Sequence, residues 1–146
     1  MNPEERSELV RSAISSREKA YAPYSHYTVG AALLSESGGL YQGVNVENAA
    51  YPNGLCAERV ALFSAVAAGE RKFCGMAVVT RDGGFPCGAC RQALAEFSPS
   101  LEILIADGSG KIRWEGSLSE LLPHIFSADS LKDSRSRPVA PPQLGD

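Results

Sequence analysis

The chain is poor in the features that would place it outside the ordinary globular proteins. It has only two histidines, His26 and His124, and neither sits in a metal-like spacing. A histidine-rich metal centre is therefore excluded, and both residues read as surface or loop positions. No apolar run approaches the roughly 20 residues that span a bilayer. The N-terminal stretch MNPEERSELV has neither a basic region nor an apolar core, so no secretory signal is read. The expected location is the cytoplasm, with no membrane partner. Positive charge is not in excess either: 14 Lys and Arg stand against 17 Asp and Glu, a net charge of -3. That argues against nucleic acid as a partner, because a surface that neutralises phosphates has to be basic. Disorder is excluded for most of the chain by 44% apolar and 21% charged residues. At 146 residues the chain suits one domain with a real core.

What is present is local punctuation. Asn2-Pro3-Glu4-Glu5 opens a helix, with a cap, an early proline and acids at the positive end of the dipole. That helix is expected to end before Pro23. TVGAALLSESGGLYQGVNV reads as two strands about a turn at 37–39. Helices are expected from Cys56 to about Ala68 and from Cys87 to about Phe97. The runs FCGMAVVT, LEILIA and KIRWEG read as strands. Ser117 and Glu120 have capping-box spacing, which predicts a last helix over SLSELLPHIF. This order predicts an α/β fold: a mixed five-stranded sheet in a three-layer α/β/α arrangement. A domain over 1–133 is expected, followed by a flexible tail over 134–146 that is rich in Pro, Ser and Arg.

Four cysteines carry the chemistry: Cys56, Cys74, Cys87 and Cys90. Clustered cysteines in an intracellular chain point to metal or catalysis more often than to disulfides. A Cys87–Cys90 disulfide or redox pair is the competing reading. Cys74 lies in an apolar strand and is expected to be buried. Cys56 and Cys87 each open a predicted helix, whose dipole favours thiolate, and Cys90 follows within a turn. Three soft ligands (Cys56, Cys87 and Cys90) suit one zinc ion. With no fourth ligand apparent, an open position for water marks the site as catalytic rather than structural.

Glu58, two residues after Cys56, is placed to move protons without coordinating; alone it would read as a dipole-favouring surface acid. Arg91 follows Cys90 directly, and Arg59 lies three residues after Cys56. One or both are expected to donate to ligand sulfurs and offset their charge, against the alternative of solvated helix arginines.

Cys-Ala-Glu followed by Pro-Cys-x-x-Cys is the three-cysteine form of the zinc deaminase signature. With YAPYSHYTVGAALL, GVNVENAAYPNGLCAER, PCGACRQALAEF and ELLPHIFSADSL, the chain resembles the small homotetrameric zinc-dependent cytidine deaminases from about Ala20 to Leu131. The resemblance implies hydrolysis of cytidine or deoxycytidine to the uridine product and ammonia. It implies one Zn²⁺ per chain on Cys56, Cys87 and Cys90, with Glu58 as proton shuttle. Asn45 and Glu47 would hold the ribose, Ala49 would meet the base through its backbone, and Tyr27 would line the site. Phe126 would reach a neighbouring subunit's pocket in a homotetramer with shared active sites. Asn45 and Glu47 also read as a loop-stabilising polar pair. Two departures stand out. Tyr27 replaces the family's usual Phe, so its hydroxyl needs a partner, and the loop TRDGGF is short. Both bear on substrate range, which leaves open another aminopyrimidine nucleoside such as blasticidin S. A structural zinc module that binds a partner is a more remote alternative.

Overall fold

The computed structural model describes residues 1–134; most of the proposed tail, 135–146, lies outside the described residues. The elements are α1 (Pro3–Arg17), β1 (Gly30–Ser35), β2 (Leu40–Val44), a 3-10 turn (Tyr51–Asn53), α2 (Ala57–Ala67), β3 (Phe73–Val79), α3 (Gly88–Phe97), β4 (Glu102–Ala106), β5 (Ile112–Ser117), α4 (Leu118–Leu121) and α5 (Ala128–Ser134). The five strands form one sheet in the order β2-β1-β3-β4-β5. Only β3 and β4 are parallel; the other neighbours are antiparallel. The mixed sheet of the sequence reading is therefore present.

Helices cover both faces. Leu9, Val10 and Ala13 of α1 pack on Ala32, Ala77, Val79 and Leu104. On the other face, Ala61, Leu62 and Ala65 of α2 and Leu94 of α3 pack on Leu33, Met76, Val78 and Ile103. Burying these aliphatic side chains on both sides of the sheet supplies the main driving force, about 1.5–3 kcal/mol for each large one.

Topology positions the site. β2 and β3 are both antiparallel to β1, so they run in the same direction. α2 follows β2 and α3 follows β3, so both helices start from the same edge of the sheet. This is the edge at the carboxyl ends of strands, where open α/β sheets place their ligands. Gly43 lets α2 close down on the sheet: a Cβ there would lie 2.0 Å from the Ala57 carbonyl oxygen, in the first turn of α2.

Two expectations are corrected. Cys74 is exposed, not buried. The register slips where Leu34 pairs with Gly75 and Ser35 with Phe73, so Cys74 is the extra residue of a bulge and is passed over by the ladder. The predicted last helix has its capping box, but α4 spans only four residues. Pro123 disfavours helical geometry in the preceding residue, and Leu122 is non-helical at φ -143° and ψ 77°. A separate helix, α5, follows over Ala128–Ser134.

Candidate active site

Cys56 is the N-cap of α2 and Cys87 the N-cap of α3, with Cys90 one turn further on. Their sulfurs all lie within 4.8 Å of one another. Cys56 Sγ and Cys87 Sγ are 3.9 Å apart, and Cys87 Sγ and Cys90 Sγ 3.5 Å. Thiolates at ~2.3 Å around a tetrahedral ion would be about 3.8 Å apart, so the donor set fits zinc. All four cysteines are free. His26 and His124 are exposed, and neither joins the three-sulfur group.

The electrostatics favour thiolate. Cys90 Sγ lies within 4.8 Å of Cys56 Sγ, and Arg59 Nη2 contacts Cys56 Sγ at 3.7 Å. Cys56 is thereby lowered to about 5, despite its partial burial. Cys90, beside Cys56 and fully buried, is raised. Arg59 therefore stands where its charge offsets the sulfurs, and its buried Nε has no partner among the described residues. Arg91 does not do this. Its Nε donates to the Pro86 carbonyl and its Nη1 to the Leu121 carbonyl, both at 2.8 Å. It braces the approach to Cys87 rather than any sulfur.

Glu58 lies in the first turn of α2 and is only 5% exposed. Burial is the main reason its carboxyl is raised to about 7; the charge of Cys56 pushes the same way, while Arg59 and its own backbone amide oppose. A cavity of about 340 Å³ brings Glu58, Cys56 and Cys87 together with Tyr27, Val29, Val78 and Phe85, and with the polar Ser25, Asn45 and Glu47. An adjoining cavity of about 450 Å³ shares Ser25, Asn45, Glu47 and Cys56 and is edged by Tyr24 and Tyr51.

Asn45 and Glu47 both face these cavities, and both also hold the loop before β1. Asn45 Nδ2 donates to the Tyr27 carbonyl at 2.8 Å, and its Oδ1 accepts from Val29 N at 2.9 Å. Glu47 accepts from Tyr24 N and Ser25 N at 3.0 Å and from the Ser25 hydroxyl. The Ser25 bonds, first that of its hydroxyl, hold the Glu47 carboxyl below its ordinary value. Ala49 is exposed in the loop after Glu47. The Tyr27 hydroxyl has found its partner, donating to Asp82 Oδ1 at 2.6 Å. Asp82 was not singled out in the sequence; its only signal is an acid in the short loop opposite an unusual Tyr. Phe126 is 61% exposed and stands outside the core of its own chain. Its backbone is held by Gln92, whose Nε2 donates to the Phe126 carbonyl at 2.8 Å and whose Oε1 accepts from Phe126 N at 3.4 Å.

A three-cysteine cluster at two helix starts, with a buried glutamate beside it on the edge of a mixed sheet, defines a zinc deaminase site. The sequence model of the cytidine and deoxycytidylate deaminase zinc-binding region matches residues 3–105, and the chain belongs to that family. It is 45% identical over 132 residues to a cytidine deaminase of Halalkalibacterium halodurans, covering 88% of this chain and 99% of that one. A cytidine deaminase of Sporosarcina psychrophila is 46% identical over 84% of this chain and 92% of its own. Among solved structures, the cytidine deaminase of Burkholderia pseudomallei superposes with a TM-score of 0.78 at 46% identity, covering 86% of this chain and all of that one.

Proposed function

We propose that this chain hydrolyses cytidine and 2′-deoxycytidine to the corresponding uridine and ammonia. One observation carries the reading: a cluster of three cysteine sulfurs, two of which line a cavity together with a buried glutamate, opens onto a space with an apolar side and a polar lobe. The flat apolar side between Tyr27, Val29, Val78 and Phe85 suits a pyrimidine ring. The polar lobe of Ser25, Asn45 and Glu47 suits a ribose.

Cys56, Cys87 and Cys90 would hold one zinc ion, which when bound would supply Lewis-acid activation of the attacking water. Glu58 carries the protons. Its carboxylate accepts one proton from the water and delivers it to ring N3, then takes the proton of the new C4 hydroxyl and delivers it to the leaving amino group. The C4–N bond breaks as the new C4–O bond becomes the carbonyl of uracil, so one water is consumed for each ammonia released. Arg59 offsets the negative charge of the sulfurs. Asn45 and Glu47 orient the ring by gripping the sugar away from the reacting atoms, which converts binding into alignment. Ala49 presents its backbone to the base.

The functional unit in this reading is a homotetramer with shared active sites. Support comes from Phe126, whose backbone is fixed by Gln92 while its ring is left outside its own core. Exposed Tyr24, Val46 and Tyr51 around the cavities give a neighbour an apolar surface to cover. No helix among the described residues is long and apolar enough to cross a membrane. Loss of ultraviolet absorbance from cytidine and 2′-deoxycytidine, with matching ammonia release that stops on chelation and returns with zinc, tests the function. Zinc-replete protein inert on both nucleosides would refute it.

A further inference from the structure

The strap of residues 80–86 joins β3 to Cys87, and Tyr27 ties it to the opposite wall of the cavity. Tyr27 is held on its own side by Asn45 Nδ2, which donates to its carbonyl at 2.8 Å, and by its N–H, which donates to the Ser25 hydroxyl at 3.0 Å. Across the cavity its hydroxyl donates to Asp82 at 2.6 Å, and the Arg81 guanidinium lies 5.2 Å from its ring centre. The strap is folded back to receive it: Thr80 Oγ1 donates to Asp82 at 3.2 Å and accepts from Gly84 N at 2.6 Å. The approach is close enough that a Cβ on Gly84 would lie 2.5 Å from the Tyr27 hydroxyl oxygen. At the far end, Arg91 holds the Pro86 carbonyl at 2.8 Å. The Tyr27 hydroxyl is thus spent on the strap, and a ligand meets the ring.

We propose that the Tyr27 hydroxyl and Asp82 form a strut that sets the spacing between the two walls of the base-binding slot. By fixing that spacing, it makes the enzyme select cytosine nucleosides with an unsubstituted ring over those enlarged by a ring methyl. The inference rests on the reading of this cavity as a nucleoside site. Asp82 is a positioning residue that acts through Tyr27. A wall held rigid rejects an added methyl group, whereas one free to move outward admits it.

The test compares kcat and KM for cytidine and 5-methylcytidine in Tyr27→Phe, Asp82→Ala, the double variant, Asp82→Asn and Gly84→Ala. Zinc content and amide hydrogen exchange of residues 81–85 are followed in each. Because Asp82 is exposed, loss of the bond is expected to raise the ratio of kcat/KM for 5-methylcytidine to that for cytidine by about threefold to tenfold. The change falls more on KM than on kcat, with faster exchange in the strap and zinc retained. The double variant shifts the ratio no further than either single change, since both remove one bond. Asp82→Asn keeps an acceptor for the phenol and stays near the parent ratio. Gly84→Ala forces the hydroxyl away, and adding Tyr27→Phe relieves it. An unchanged ratio despite faster exchange, or additive effects in the double variant, would overturn the proposal. A zinc-replete parent inert on cytidine would refute the functional reading instead. Exchange then judges the strut alone, and equal rates in parent and variants would dismiss it.

Discussion

Replacing Glu58 with Gln isolates the proton-carrying step, because the side chain keeps its size and loses only the ability to take a proton. The residue is 5% exposed, so bulk water has poor access to replace it. The other carboxylate lining the same cavity is Glu47, which is already committed to Tyr24 and Ser25 and whose carboxyl is held low by them. It is a poor substitute base. General acid–base catalysis is worth roughly 10²–10⁴-fold, and with no substitute at hand kcat should fall by about that factor, or about 3–5 kcal/mol in the barrier. Zinc should stay at one per chain, because the three sulfurs are untouched. Steady-state kinetics on cytidine, zinc analysis and thermal unfolding together form the assay. A folded, zinc-replete variant with activity within tenfold of the parent would remove Glu58 from the chemistry.

Cys87→Ala should lose zinc and activity together, since two thiolates make a weak site; zinc retained against a chelator as tightly as in the parent would show the ligand set to be wrong. Cys74→Ser should leave zinc content unchanged and move stability by no more than about 0.5 kcal/mol, because the residue is exposed at a bulge; an unfolding titration checks it. Phe126→Ala should leave the fold intact, the ring being 61% exposed, and raise KM. Mixing it with Glu58→Gln chains, with subunit exchange confirmed by labelling, should restore affinity at sites that draw one intact residue from each; verified mixed oligomers without recovery would end the shared-site reading. Asp107 is buried and accepts from Ser109, Arg113 and the Lys111 amide, with the Ser109 hydroxyl contributing most to lowering its pKa. Its contribution to stability is therefore present above the unfolded value near pH ~4 and lost as pH falls toward the lowered folded value. Denaturant unfolding between about pH 2 and 5 should show a smaller loss for Asp107→Asn than for the parent; parallel curves would contradict this.

The elements that depend on neighbours in the chain were legible as letters. Asn2 and Ser117 cap helices with reciprocal bonds to Glu5 and Glu120 as their spacing required. The turn at 37–39 joins two strands, with Gly38 at φ +90°. Cys56 and Cys87 stand at helix starts, which also made the ligand set readable before any fold was known. These features rest on hydrogen bonds and dihedral preferences spanning a few residues, so residue type and spacing suffice to determine them.

Tertiary structure alone decided which of these pieces meet. The shared direction of β2 and β3 brings Cys56 to Cys87, 31 residues along the chain, and with it to Cys90. Register decided Cys74: an apolar run predicts burial, but one bulge leaves that residue outside the ladder. Packing separated two arginines that look alike in sequence, sending Arg59 to a sulfur and Arg91 to two carbonyls. The Tyr27–Asp82 bond joins residues 55 apart, and only the closure of the strap over the loop brings them within reach. A local pattern records what each segment prefers; which side chains touch depends on strand order and register, and these are set by burying both faces of the sheet at once.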